Sequence, residues 1–281
     1  MNKRIWDNLL RGLLLRKIGF VALGLLALFL IASILAFLSP YDPNQIVVQD
    51  RLQAPNASHW FGTDDYGRDY FTRALYGGRI SLSVAFLAML IATVVGTAIG
   101  TISGYAGGRV DALLMRLVDI FMSVPSFLIM LIISVYFKPG IQNIILIIGL
   151  LTWMNIARLV RAETLSIKER EYVLYAKVSG QSAFKTVTMH IFPNIISTVI
   201  VAATINIATA ILMESSLSFL GLGIQQPNSS WGSMLNNAQG YIGEAPHLAL
   251  FPGIFILLTV LSFNVLGDLL RIAFEPRVNQ R

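Results

Sequence analysis

The side chains available for chemistry in this 281-residue chain are fifteen Asp and Glu, three His and no Cys. Without cysteine there is no thiolate nucleophile, no disulfide framework and no Cys-based zinc or iron–sulfur site. His59, His190 and His247 fall on the outside, inside and outside of the expected topology, and no HExxH, paired-His spacing, Gly-x-Ser-x-Gly turn or Walker phosphate loop occurs. A membrane enzyme would have to draw on Asp119, Asp268 or Glu214, which form no pair in the sequence. Arg116 precedes Asp119 by three residues, a spacing at which two side chains meet on one helix face. A structural ion pair is expected there, with a gating or partner contact as the alternative. The residue types point away from catalysis.

The elements that must hold these residues follow from hydropathy. The chain is 55% hydrophobic and only 13% charged, where a soluble domain carries about 25% charge. That balance excludes an ordinary soluble enzyme and a disordered chain alike. Six apolar stretches, at 19–38, 81–105, 112–137, 142–157, 195–213 and 248–267, are read as membrane helices, since crossing takes about 20 apolar residues. The first is read as a retained anchor, because its apolar run is too long for a signal core. With the N-terminus inside, sixteen of the 21 Lys and Arg fall on the inner side; Arg51, Arg68, Arg73, Arg79 and Lys138 fall outside. This is the positive-inside pattern. The net charge of +6 therefore orients the chain and implies no nucleic-acid partner. The expectation is an all-α membrane protein with six transmembrane helices and both termini cytoplasmic.

Two spans carry stripes at four-residue spacing. Ala88, Ala92, Gly96, Gly100 and Gly104 place small side chains on one face of span two, where another backbone can approach closely. The partner is either another span of this chain or a second subunit. In span five Thr198, Ala202, Asn206, Ala210 and Glu214 share a face, with Glu214 expected at the outer end within reach of water. An amide at mid-span must face protein or water, so the stripe lines a translocation pathway or bonds between helices. Asn264 and Asp268 in span six are read as structural.

The inward segment 158–194 is no simple linker. Glu163 to Ser179 contains good helix formers with no Pro or Gly, and Leu165, Tyr172 and Ala176 share a face. Gly180 is placed to end that helix, Ser182 to cap a second one, and Pro193 to close the stretch before span five. A short helix of this kind is marginal in water, so it is expected to dock into a partner or to lie on lipid.

Particular residues carry a family resemblance. Tyr175-Ala176-Lys177-Val178-Ser179-Gly180, followed by His190-Ile191-Phe192-Pro193, resembles the cytoplasmic Glu-Ala-Ala loop of ABC import permeases. Leu174 and Tyr175 depart from its Glu-Ala, and His190 and Phe192 replace its Ile and Leu. The runs Phe61 to Asp69 and Leu75 to Leu82, and Glu214 to Gly223 with Pro227 and Ser230-Trp231-Gly232, are similar to signatures of the dipeptide/oligopeptide/nickel permeases, second (C-type) membrane subunit. The likeness spans about 18 to 276.

The resemblance implies a type I ABC importer permease fold in a bacterial inner membrane. Its parts would be 1–76 (N-terminal segment, first helix, extracytoplasmic segment), a five-helix core 77–268 with coupling loop 158–194, and a cytoplasmic tail 269–281. It implies a homologous permease partner, two ATP-binding subunits that hold ATP and Mg, and an extracytoplasmic solute-binding protein standing on 39–79 and 214–247. No cofactor is expected in this chain. Tyr172, Ala176, Gly180, Ser182 and Pro193 would form the ATPase-coupling loop. Transport by alternating access of di- or oligopeptides, or of nickel or another small solute, is implied. A passive channel is the competing reading.

Overall fold

The computed structural model describes residues 17–274. Lys3, Arg4, Arg11, Arg16, Arg277 and Arg281 of the charge pattern lie outside them. The elements are α1 (Lys17–Ile34), a 3₁₀ turn (Leu35–Leu38), α2 (Tyr70–Ala106), α3 (Gly108–Met122), α4 (Ser126–Tyr136), α5 (Ile141–Lys168), α6 (Glu171–Val178), α7 (Ala183–Thr186), a π turn (Val187–Ile191), α8 (Phe192–Phe219), α9 (Trp231–Ala238) and α10 (His247–Phe274). No strand forms among the described residues; Thr63 and Asp69 make one isolated bridge.

Five helical runs among these residues are long and apolar enough to cross a membrane, and α3 with α4 makes a sixth if the bent pair counts as one span. Helices suit this solvent because each backbone group finds its partner within its own segment. Side chains such as Leu90, Val94, Leu146, Leu257 and Leu261 point out of the bundle, as a lipid-facing surface requires. The long helix α2 is central, packed along α5 and also against α8 and α1, while α10 closes the bundle on α8 and α1.

Four expectations change. Span two begins at Tyr70, where Asp69 caps the helix by accepting a hydrogen bond from Thr72 N at 2.7 Å, so the boundary at 76/77 falls inside α2. Span three is broken: α3 and α4 meet at 76° around Ser123–Pro125, because the residue before a proline is driven out of the α region. The helix expected from Glu163 to Ser179 is two helices, since span four runs on to Lys168 and the chain turns at Glu169 and Arg170 before α6. Pro193 does not close the stretch before span five. It sits in the first turn of α8, which continues from α7 through the π turn. The wider turn accommodates the ring and the missing N–H, and Asn194 Nδ2 donates to the His190 carbonyl at 2.7 Å.

The ends of the bundle differ. Segments 39–69 and 220–246 gather at one, the loop end; α6 and α7 form an elbow at the other.

Candidate functional site

The elbow is built from a helix stop. Gly180 has φ +75°, a left-handed conformation that glycine adopts without a Cβ penalty. Its N–H donates to the Lys177 carbonyl at 3.0 Å and Gln181 N to the Ala176 carbonyl at 3.1 Å, the paired bonds of a Schellman end. Ser182 then caps α7 by accepting from Lys185 N. His190 and Gln181 bond side chain to side chain at 3.0 Å. Tyr172, Tyr175, Ala176, Gly180, Ser182 and His190 line an open groove of about 1020 Å³.

The turn at Glu169–Arg170 sets which face of α6 is presented. Ala176 and Val173 turn inward and are buried, while Tyr175, Val178 and Phe184 are 76%, 88% and 80% exposed. Ala176 therefore does not share a docking face with Leu165, which lies on α5. The exposed apolar side chains of the elbow, Val178 and Phe184 among them, were missed because the helix break rotates the register.

The elbow is fixed to the bundle through α5 and the end of α2. Lys168 Nζ donates to the Gly104 carbonyl at 2.9 Å, and Lys177 Nζ lies 5.1 Å from the centre of the Tyr105 ring. Arg161 holds Asp111 of α3 with two bonds, at 2.5 and 2.6 Å. Asp119 pairs with Arg158 of α5, a correction to the expected local pair with Arg116, because the packing of α3 on α5 supplies a closer cation.

The small-residue stripe of α2 meets α5 of the same chain. A Cβ on Gly96 would lie 2.7 Å from the Trp153 carbonyl oxygen, on Gly100 2.4 Å from that of Ala157, and on Gly104 2.9 Å from that of Arg161. Ala88 and Ala92 are buried on the same helix. Backbone against backbone, α2 and α5 pack closely from mid-span to the elbow.

The stripe of α8 divides. Thr198 and Asn206 are half-buried, and Asn206 Nδ2 donates to the Ala202 carbonyl at 2.8 Å. Ala202 and Ala210 are buried. Glu214, expected within reach of water, is 0% exposed. Its carboxylate accepts from Ser81 Oγ at 3.0 Å and Ser218 Oγ at 2.7 Å, and Trp231 N donates to Ser81 Oγ at 3.2 Å. The segment after α8 folds back over its end, so Glu214 is sealed within this chain. Asn264 and Asp268 are exposed on α10.

The loop end holds a cluster that sequence reading did not pick out as a unit. Asp64, Arg68, Asp69 and Arg73 are buried. Arg68 Nε donates to Asp64 at 2.7 Å, Arg73 Nε lies 3.3 Å from the same carboxylate, and Arg73 Nη1 donates to the Pro43 carbonyl at 2.9 Å. His59 Nδ1 and Asp69 Oδ2 lie 2.9 Å apart. Buried charges survive when paired, and these knit 39–69 to the start of α2. Burial and the neighbouring Asp64 carboxylate push Asp65 above the usual carboxylate range. Their signal was present in the Gly62 to Asp69 string, where Asp64, Asp65 and Asp69 flank Arg68, with Arg73 following four residues later. Among the described residues no three His, Asp or Glu side chains gather as a metal set.

Comparison with known proteins agrees with this architecture. Residues 96–280 match the family described as binding-protein-dependent transport system inner membrane component. The chain is 40% identical over 274 residues to the dipeptide transport system permease protein DppC of Alkalihalophilus pseudofirmus, covering 97% of this chain and 90% of the relative. It is 35% identical over 277 residues to the oligopeptide transport system permease protein OppC of Bacillus subtilis, covering 98% and 91%. A probable D,D-dipeptide transport system permease protein of Escherichia coli is 37% identical over 275 residues, with 98% and 91% covered. The chain belongs to the family of binding-protein-dependent inner-membrane transport components; it is a transport permease and not an enzyme.

Proposed function

We propose that this chain is one of two homologous permease subunits of an ATP-driven importer of di- or oligopeptides. The loop end faces the binding protein and the elbow faces two cytoplasmic ATPases that carry ATP and Mg, with both termini on the elbow side. The observation that carries this reading is the elbow itself: an apolar, exposed helix–Gly–cap unit at the end of a helix pair in close backbone contact. The peptide cargo is carried over from the relatives.

The mechanism follows from stiffness. A motor that binds α6 and α7 displaces them, and the α2–α5 contact through Gly96, Gly100 and Gly104 transmits the movement because those backbones leave no slack. Motor binding drives the change only by holding one state more tightly than the other. With the motor domains closed, the path opens toward the loop end and receives cargo; hydrolysis and release return it to the elbow side.

Gly180→Asp tests the assignment, with Gly180→Ala as its control. Both strain the left-handed turn, and nothing among the described residues lies within 4 Å of the added Cβ, so only the aspartate places a charge at the motor surface. Gly180→Asp is expected to abolish uptake or ATPase co-purification while the chain inserts, with Gly180→Ala milder. Full uptake and co-purification in Gly180→Asp overturns the docking role, and undiminished uptake with ATPase-dead partners makes the protein a channel.

A further inference from the structure

At the loop end, a second cavity of about 320 Å³ opens between the end of α8, the segment 221–228 and α9. That volume lies within the range of small-ligand sites, about 300–1,000 Å³. Primary amides dominate its wall: Gln225, Gln226, Asn228, Asn236 and Asn237. Among the described residues no charged side chain lines it, and Ile224 is the one apolar side chain that does.

The wall is held from behind. Arg68, itself fixed by Asp64, donates through Nη1 to Gln226 Oε1 at 3.2 Å. Asn236 Nδ2 donates to the Phe219 carbonyl at 2.6 Å. Ser218 Oγ, at the floor, donates to Glu214 and accepts from Ile224 N at 3.1 Å. The side chains of Asn228 and Asn237 make no hydrogen bond within the described residues.

We infer that this cavity is a binding site for the main chain of the transported peptide. A primary amide offers one carbonyl acceptor and an NH₂ donor, the complement of the N–H and C=O that every peptide unit carries. A lining without charge reads neither terminus of a peptide, and one whose single apolar side chain is the buried Ile224 favours no particular side chain. What remains is the repeating backbone, the one feature that cargo peptides of different sequence share. A loop of the binding protein is the competing occupant, and the docking measurement below separates the two. The inference rests on the peptide-importer reading above.

The test uses the purified transporter assembled with its partner permease and ATPases, without binding protein. Labelled trialanine binding is measured by equilibrium dialysis, with trialanine N-methylated at its peptide nitrogens as competitor. The variants are Asn228→Ala and Asn237→Ala, whose side chains make no hydrogen bond among the described residues. Saturable binding is expected, each variant weakening it by up to about tenfold, with the N-methylated peptide competing poorly. Absence of saturable binding, equal competition by the N-methylated peptide, or unchanged affinity in both variants overturns the site. So does loss of binding-protein docking in the variants with trialanine affinity unchanged, which would make the cavity a protein contact. If the complete transporter with binding protein still takes up peptides in those cases, the site fails and the importer reading stands. If the complete transporter takes up no peptide, the importer reading fails first and the site with it.

Discussion

Ser81 of α2 and Glu214 of α8 meet at 3.0 Å in a fully buried contact, and Ser81 also receives the backbone N–H of Trp231. One hydroxyl thus joins two membrane helices and the segment that covers their end. Tyr70, at the start of α2, adds a bond from its hydroxyl to the Leu248 carbonyl of α10 at 2.5 Å.

Removal of this junction is expected to loosen the loop end. Ser81→Ala should cost about 1–2 kcal/mol, the scale of a buried hydrogen bond whose partner is left unsatisfied. Glu214→Ala should cost more, because it strands Ser81 and Ser218 together and leaves a cavity. Thermal unfolding in nanodiscs reads both. An unchanged midpoint for both variants would mean that the contact is incidental.

The α2–α5 contact is sensitive to volume. Gly100→Val should reduce the folded yield sharply or cost about 2–3 kcal/mol, the upper range for overpacking, because the Cβ would lie 2.4 Å from the Ala157 carbonyl oxygen. Gly24→Val in α1, where nothing among the described residues lies within 4 Å of the added Cβ, is the matched control and should fold without that loss. Fluorescence-detected size exclusion separates the two.

Arg161 and Asp111 tie α3 to α5 near the elbow. The pair is only partly buried, at 33% and 16% side-chain exposure, so a double-mutant cycle should give about 1 kcal/mol of coupling, above a surface pair only because the contact is bidentate. The swap Arg161→Asp with Asp111→Arg should recover part of the stability lost in either single variant. No recovery in stability would assign the loss to packing.

Asp65 gives a pH dependence. Its pKa in the folded protein lies above the ordinary value, so the native state binds this proton more tightly than the unfolded chain. Above the folded pKa the ionised group costs stability in full, and the cost fades as pH falls through the folded pKa toward the unfolded one. Asp65→Asn should therefore raise the unfolding midpoint at neutral pH, with the gain closing in acid. A gain that is constant with pH would point to packing.

Much of the elbow was legible in the linear chain. Gly180, Ser182 and the apolar positions around Tyr172 are local signals, since a left-handed turn and a cap depend on neighbours a few residues away. The stripe ending at Gly104 was equally plain as a face, yet whether it met this chain or another was a question of distance between helices. The pairing of Asp119 with Arg158, 39 residues apart, had no local signature at all.

Composition and the spacing of apolar residues determined that the protein spans a membrane as helices, because burying backbone in lipid leaves a helix-forming chain few alternatives. The spacing of four in α2 determined a close-packing face for the same geometric reason. Tertiary structure alone decided the rest: that Pro193 is absorbed by a π turn, that α6 rotates away from α5, and that Glu214 is sealed by Ser81, Ser218 and the segment leading to Trp231. Each depends on which helices lie side by side. That is a balance of side-chain volumes and hydrogen bonds between residues distant in the chain, which periodicity along one helix does not encode.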